Sequence, residues 1–312
     1  MPDWGSAIAP QVARVRRAGG GLLPAAGVLL LGILLLDGMA AFVKVLGVRY
    51  GALELSAWRN MIGMVPAVVA LAFMGELSAG PRGLMIRQWR LAFGRGIMVG
   101  AAQLCYYLAL MRSEFAMVAA LGYTMSLFVV AFSVPVLGER VGIWRWTAVF
   151  LGFAGALVIV RPGAEDFNAW SVLPLVAASC YALSMVTVRL IDTSVSNALM
   201  YLYSSFSSAV MSILMVLPTG GFSPIGSAAD ALSIVAMGLL GGLGVLCLLI
   251  SVRMAEPSKL APFNYLGLLS AFVIGWVVFD EAPFDRLFPG VILIVGGGLV
   301  ILWRERAVRR DV

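Results

Sequence analysis

Between Gly21 and Val43 only one residue, Asp37, carries a charge. A helix rises about 1.5 Å per residue, so about 20 consecutive apolar residues cross a hydrocarbon core about 30 Å thick. Nine further stretches of the same character follow, near 52–74, 91–111, 115–137, 143–160, 169–188, 197–217, 231–251, 257–279 and 287–303. The polar, turn-rich pieces between them are too short to bury a core of their own. The expected fold is therefore all-α and integral to a membrane, with ten transmembrane helices. Composition agrees, with 12% charged residues and 61% hydrophobic ones, where a soluble domain carries about a quarter charged. Gly21–Val43 is too long for the apolar core of a signal peptide and reads as a retained first span.

The chain also repeats. A step of 142 residues carries Gly96 to Gly238, Gly100 to Gly242, Cys105 to Cys247, Tyr123 to Tyr265 and Glu139 to Glu281. Aligned without a gap, 96–159 and 238–301 share 16 identities in 64 positions, against about a tenth by chance in a composition this apolar. Five stretches fall in each copy, and an odd number forces two copies to sit upside down relative to each other. The organisation read from this is an N-terminal tail 1–20, a first five-helix repeat 21–160, a linker 161–168, a second five-helix repeat 169–303 and a C-terminal tail 304–312. An N-terminus in the cytoplasm puts 15 of the loop and tail Lys and Arg inside and leaves 5 outside. Both termini are therefore expected to be cytoplasmic. The same topology explains the net charge of +6 better than a nucleic-acid partner does.

Histidine is absent, which removes the commonest general base and metal ligand together. Cys105, Cys180 and Cys247 sit within apolar runs without metal-ligand spacing, so no metal or cofactor is expected. No Gly-rich phosphate loop of the ATPase type occurs either.

Ionisable groups inside a span are costly and mark candidate sites. Asp37 on the first span and Arg59 on the second lie at matching depths, which suggests an ion pair between them. Alternatively, Asp37 meets an ammonium or carries a proton, and Arg59 holds a carboxylate. Arg95, about one turn into the third span, is placed to snorkel toward headgroups or to gate. Glu139 and Glu281, at span ends, are turn or gating candidates. Among uncharged groups, Gln103, Tyr106, Tyr107, Tyr123, Asn264, Tyr265, Tyr181 and Trp58 are candidates to line a substrate cavity. Tyr123 and Tyr265 form a repeat-related pair near the expected midplane. Gly96 and Gly100, with Gly238 and Gly242, have the small-xxx-small spacing of closely packed helices.

The segment Val136–Gly163, VLGERVGIWRWTAVFLGFAGALVIVRPG, resembles the end of the first repeat in the drug/metabolite transporter superfamily, in its ten-span EamA-like branch. Ala261–Pro283, APFNYLGLLSAFVIGWVVFDEAP, resembles that family's penultimate helix and Glu-bearing turn, and Trp58–Pro66 its Arg-bearing second helix. Many relatives carry a proline where this chain has Ser126 and Leu268. The resemblance implies a central cavity and the export or exchange of small metabolites, as in the YddG-type amino acid exporters. The expected function is secondary export of small amphipathic metabolites by alternating access, with amino acids, aromatic or otherwise apolar, as the leading class. The alternatives are exchange of a larger nucleoside-derived or sulfonium compound and, remotely, a membrane enzyme. The expected partners are a small-molecule substrate, membrane lipid and a coupled proton, for a monomer or weak homodimer in a bacterial inner membrane.

Overall fold

A computed structural model of the chain describes residues 21–76, 85–113, 115–122, 124–139, 141–160, 170, 172–192, 194–264, 266–280, 292–293, 296, 300 and 303. The two tails, the linker 161–168, Tyr123, Tyr265 and Glu281 lie outside these residues. The described elements are helical: α1 (Leu22–Leu46), α2 (Ala52–Phe73), α3 (Trp89–Leu110), α4 (Phe115–Gly122), α5 (Met125–Leu137), α6 (Ile143–Val160), α7 (Val172–Thr187), α8 (Asn197–Val216), α9 (Ala228–Met254), α10 (Pro257–Asn264) and α11 (Gly267–Phe279). Five of the described helices are long and apolar enough to cross a membrane: α1, α2, α7 with its 3-10 extension to Leu190, α8 with its extension to Thr219, and α9.

Two stretches expected to be continuous are interrupted. A turn at Thr124 separates α4 from α5, and a turn at Leu266 separates α10 from α11. The amides of Thr124 and Leu266 reach back only three residues, to Leu121 O at 3.2 Å and Phe263 O at 3.1 Å. The four bounds of α4 and α5, moved by 142, become those of α10 and α11. The same step carries the left-handed cap Gly138, φ 64°, to Asp280, φ 54°. The amides of these caps bond Val134 O and Trp276 O, again repeat equivalents.

Packing obeys the same relation. With α1 matched to α7, α2 to α8, α3 to α9, α4 to α10 and α5 to α11, contacts between the halves occur as exchanged pairs. Thus α1 lies on α9 as α7 lies on α3, and α2 meets α9 as α8 meets α3. The helix pair α2 and α8 is its own partner in the exchange. Glycine makes these approaches close. A Cβ at Gly96 would stand 1.8 Å from Ser207 Oγ on α8, and one at Gly238 would stand 2.5 Å from Ile62 Cβ on α2. Gly100 meets Ser208 and Gly242 meets Gly63, so both small-xxx-small motifs serve contacts within the chain.

Polar contacts join the halves near both ends of the bundle. Near one end Asp230, in the first turn of α9, accepts from Arg49 at 3.0 Å and from Tyr50 Oη at 3.0 Å. Glu54 accepts from the Gly51 amide at 3.0 Å and from the Ser223 amide at 2.5 Å. Near the other end Gln88, the repeat equivalent of Asp230, donates to Leu190 O at 3.1 Å and accepts from the Asp192 amide at 2.8 Å. There Arg145 reaches Glu256 at 2.8 Å, and within the second half Arg189 bonds Val252 O and Ala255 O.

Large apolar side chains cover much of the outside. Leu31, Leu34, Val65, Val69, Phe206, Leu214, Val235 and Val277 are exposed along the lengths of their helices. Such a surface is satisfied by hydrocarbon. The interior holds one apolar core around Leu29, Leu71, Met200 and Leu260, and another around Val43, Leu55, Tyr107 and Phe115. Between the two, α1 carries Asp37, α2 carries Arg59 and Asn60, and α9 runs through Gly241, Gly242 and Gly244.

Candidate substrate cavity

Between the two cores lies a cavity of about 210 Å³ formed by α1, α2, α3, α4, α5, α7, α8, α9 and α10. Half of its lining positions fall in repeat-related pairs: Leu36 with Ala178, Met39 with Tyr181, Arg59 with Tyr201, Gln103 with Val245, Tyr106 with Leu248, Tyr107 with Leu249, and Gly122 with Asn264. The pseudo-two-fold relation of the halves therefore passes through the cavity. Its chemistry is not shared equally. The charged lining residues among those described, Asp37, Arg59 and Arg95, come from the first half, whereas Val245, Leu248 and Leu249 on α9 supply an apolar wall. Gly122 and Asn264 end the two interrupted helices, so both breaks are at the cavity.

Arg59 is buried on α2. It donates to Asn60 Oδ1 at 2.8 Å and to Gly241 O at 3.1 Å. Asn60 in turn donates to Gln103 Oε1 at 2.8 Å and to Ser56 O at 2.9 Å. Ser56 Oγ lies 2.9 Å from Ser212 Oγ, and Ser205 donates to Asn60 O at 3.0 Å. This network ties α2 to α3, α8 and α9, and satisfied buried networks of this kind fix a geometry. The hydroxyls of Tyr107, Tyr181 and Tyr201 are within electrostatic reach of Arg59. Tyr106 stands in the same relation to Asp37, and Tyr107 donates to Met39 Sδ at 3.3 Å.

The suggested Asp37–Arg59 ion pair is not formed. Arg59 turns toward α9, where glycine leaves room for it, and Asp37 faces α11, accepting from Ser270 Oγ. Arg95 does not snorkel. It is 4% exposed and turns inward, where its Nε and Nη2 donate to Ser184 O at 3.0 Å and Ser184 Oγ at 3.3 Å. The inward route is open because α7, which carries Ser184, packs on α3. Trp58 is not a lining residue; it packs edge-on against Phe222 with ring centroids 5.3 Å apart.

Eight named candidates line the cavity as described: Asp37, Arg59, Arg95, Gln103, Tyr106, Tyr107, Tyr181 and Asn264. Glu139 follows the left-handed Gly138, and its amide bonds Ser133 O at 3.2 Å. Asn60 and Tyr201 were not singled out as lining residues from sequence. The signal for Tyr201 was available, since it is the 142-residue equivalent of Arg59.

A model of the EamA-like transporter family matches residues 23–161 and again 168–303. A riboflavin transporter of Vibrio cholerae is 30% identical over 176 residues, 56% of this chain and 58% of that protein, so the match spans less than two thirds of its length. A riboflavin transporter of Brucella anthropi is 25% identical over 275 residues, 85% of this chain and 93% of that one. An S-adenosylmethionine uptake transporter of Rickettsia bellii is 24% identical over 265 residues, 84% and 88% of the two chains. A solved crystal structure superposes with a TM-score of 0.72 at 22% identity, over 91% of this chain and 98% of that one.

Proposed function

This chain belongs to the EamA-like transporter family of the drug/metabolite transporter superfamily, and on that premise we propose that it carries a small amphipathic metabolite through the central cavity by alternating access. The observation that supports this reading is the two-sided lining: Arg59, Asn60, Gln103 and Tyr106 oppose Val245, Leu248 and Leu249. A solute with an apolar body and a polar head satisfies both walls at once. Discontinuous helices meeting at a central site are a recurrent device of secondary transporters.

Ten spans, inverted repeats, cytoplasmic termini and a bacterial inner membrane complete the proposal, supported by the exchanged packing and by the charge asymmetry of the loops. Amino acids are the leading substrate class, outward the leading direction. A cavity of about 210 Å³ lies below the roughly 300 Å³ at which sites for drug-sized ligands begin, and its lining offers both a carboxylate and guanidiniums. Asp37 is the carboxylate proposed to carry a coupled proton.

A second reading is favoured by the names of the relatives. Riboflavin and S-adenosylmethionine are larger heterocyclic solutes, and Tyr106, Tyr107 and Tyr181 offer ring faces for a planar group. Proteoliposomes loaded with labelled tryptophan, and in parallel with riboflavin or S-adenosylmethionine, separate the two. Competition by amino acids alone supports the first reading, and competition by the heterocycles alone supports the second. Failure of every solute to move while the protein remains folded would sink the transport proposal. Unchanged response of Asp37→Asn to an imposed pH gradient would remove Asp37 from coupling.

A further inference from the structure

Two guanidiniums face the cavity against one carboxylate among its described lining residues. Among the described residues neither guanidinium has an acidic partner. Arg59 is held by an amide oxygen and a backbone carbonyl, and Arg95 by the carbonyl and hydroxyl of Ser184. Among the described residues Nη1 of Arg95 has no hydrogen-bond partner, and neither do Tyr201 Oη, Ser126 Oγ and Ser204 Oγ around the same cavity. Buried donors without acceptors are rare in folded proteins, and a buried cation without an anion is costlier still. Asp37 does not discharge this excess, because it faces α11 and Ser270.

We infer that the cavity is an oxyanion site, and that the solute it takes carries a carboxylate or phosphate whose oxygens accept from Arg59 and Arg95. The inference deepens the transport reading and rests on it only for passage of the solute. Guanidinium favours planar, doubly hydrogen-bonded oxyanions over neutral groups. The two arginines are not one clamp. Asn60, next to Arg59, bonds Gln103, and Arg95 precedes Gln103 by eight residues on α3, about 12 Å along the helix axis. They form successive stations, the first among the tyrosine hydroxyls and the second toward the end of the bundle that holds Gln88 and Arg189. Tyr201 gives the first station a further donor, and Ser204 and Ser126 offer hydroxyls to a solute in the cavity.

The test uses solutes that differ in one group. Purified wild-type protein in detergent is titrated with indole-3-propionate and indole-3-propionamide for the carboxylate, and with flavin mononucleotide and riboflavin for the phosphate, with the shift in melting temperature as readout. The expected result is that the anionic member of at least one pair stabilises at a concentration at least about tenfold lower than its neutral partner. Which pair responds tells carboxylate from phosphate. In Arg59→Gln and Arg95→Gln the ratio of anionic to neutral affinity shrinks toward one, whatever the absolute affinity of either member, and an unchanged ratio in both folded variants overturns the inference. Equal or better binding of the neutral member in both pairs overturns the inference, whether or not the variants fold. Flux in proteoliposomes without anion preference overturns it and spares the transport reading. Anion-selective binding with no flux of any probe does the reverse.

Discussion

Arg59 lies directly on the backbone of Gly241: a Cβ added at Gly241 would stand 2.6 Å from the Nε of Arg59 and 3.3 Å from its Cζ. The glycine is thus the floor on which the cavity's central cation rests. Gly241→Ala is expected to push the guanidinium off Asn60 and Gly241 O, costing about 1–3 kcal/mol of stability as an overpacked site does. Flux should fall at least about tenfold, through a raised KM. Thermal unfolding and proteoliposome kinetics check this, and wild-type KM in a folded variant would contradict it.

Close packing makes a second contrast. Gly96→Ala would set a methyl 2.3 Å from Ser204 O, whereas a Cβ at Gly94 meets nothing within 4 Å. Gly96→Ala should therefore destabilise by about 3 kcal/mol or more. Gly94→Ala should be neutral or stabilising by up to about 1 kcal/mol, through helix propensity. Similar melting temperatures for the two variants would show that the α3–α8 contact is looser than described.

The two left-handed caps give a third prediction. Gly138 at φ 64° has open space around its Cβ position, and Asp280 adopts φ 54°. Gly138→Ala should cost about 1 kcal/mol from backbone strain alone, and Asp280→Gly should recover part of the strain that Asp280 bears. Paired melting curves read this as shifts of opposite sign, and shifts of the same sign would refute it.

Acid should loosen the α9–α10 corner. Burial pushes the Glu256 carboxyl up, but Lys259, Arg145 and Arg189 together hold it below its ordinary value of 4.5. A depressed carboxylate contributes stability that is full above its unfolded value and is lost as pH falls through the folded one. The loss therefore begins as pH drops below about 4.5, and for this half-buried cluster it is on the order of 1 kcal/mol. Glu256→Gln should flatten that part of the stability profile. An unchanged slope in the variant would assign the acid sensitivity to other groups.

Most of the architecture was legible in the chain because it is written twice. Among the described residues the apolar stretches foretold the helices, and the 142-residue offset relates the bounds of α4 and α5 to those of α10 and α11. The interruptions at Thr124 and Leu266 were not legible, since neither carries a glycine or proline at the break itself and apolar periodicity does not register a missing hydrogen bond. Depth along a span located Asp37 and Arg59 at the cavity, but depth says nothing of the direction a side chain turns about its helix. Arg95 was misread for the same reason: its nearness to a span end was visible, while the Ser184 carbonyl that draws it inward belongs to a helix almost ninety residues away. Trp58 suited a cavity by chemistry, but its ring packs against Phe222.

Asp230 and Gln88 occupy equivalent places and join equivalent corners, yet one accepts from an arginine that is 67% exposed and the other is an uncharged amide. At cellular ionic strength the Debye length is about 8 Å, so added salt weakens the first contact and leaves the second nearly as it was. If the two copies were chemically identical, the states open to either side of the membrane would be equally populated. Here the two corners respond unequally to the medium, and on the alternating-access reading proposed above the electrolyte bathing one face would shift the resting balance between those states.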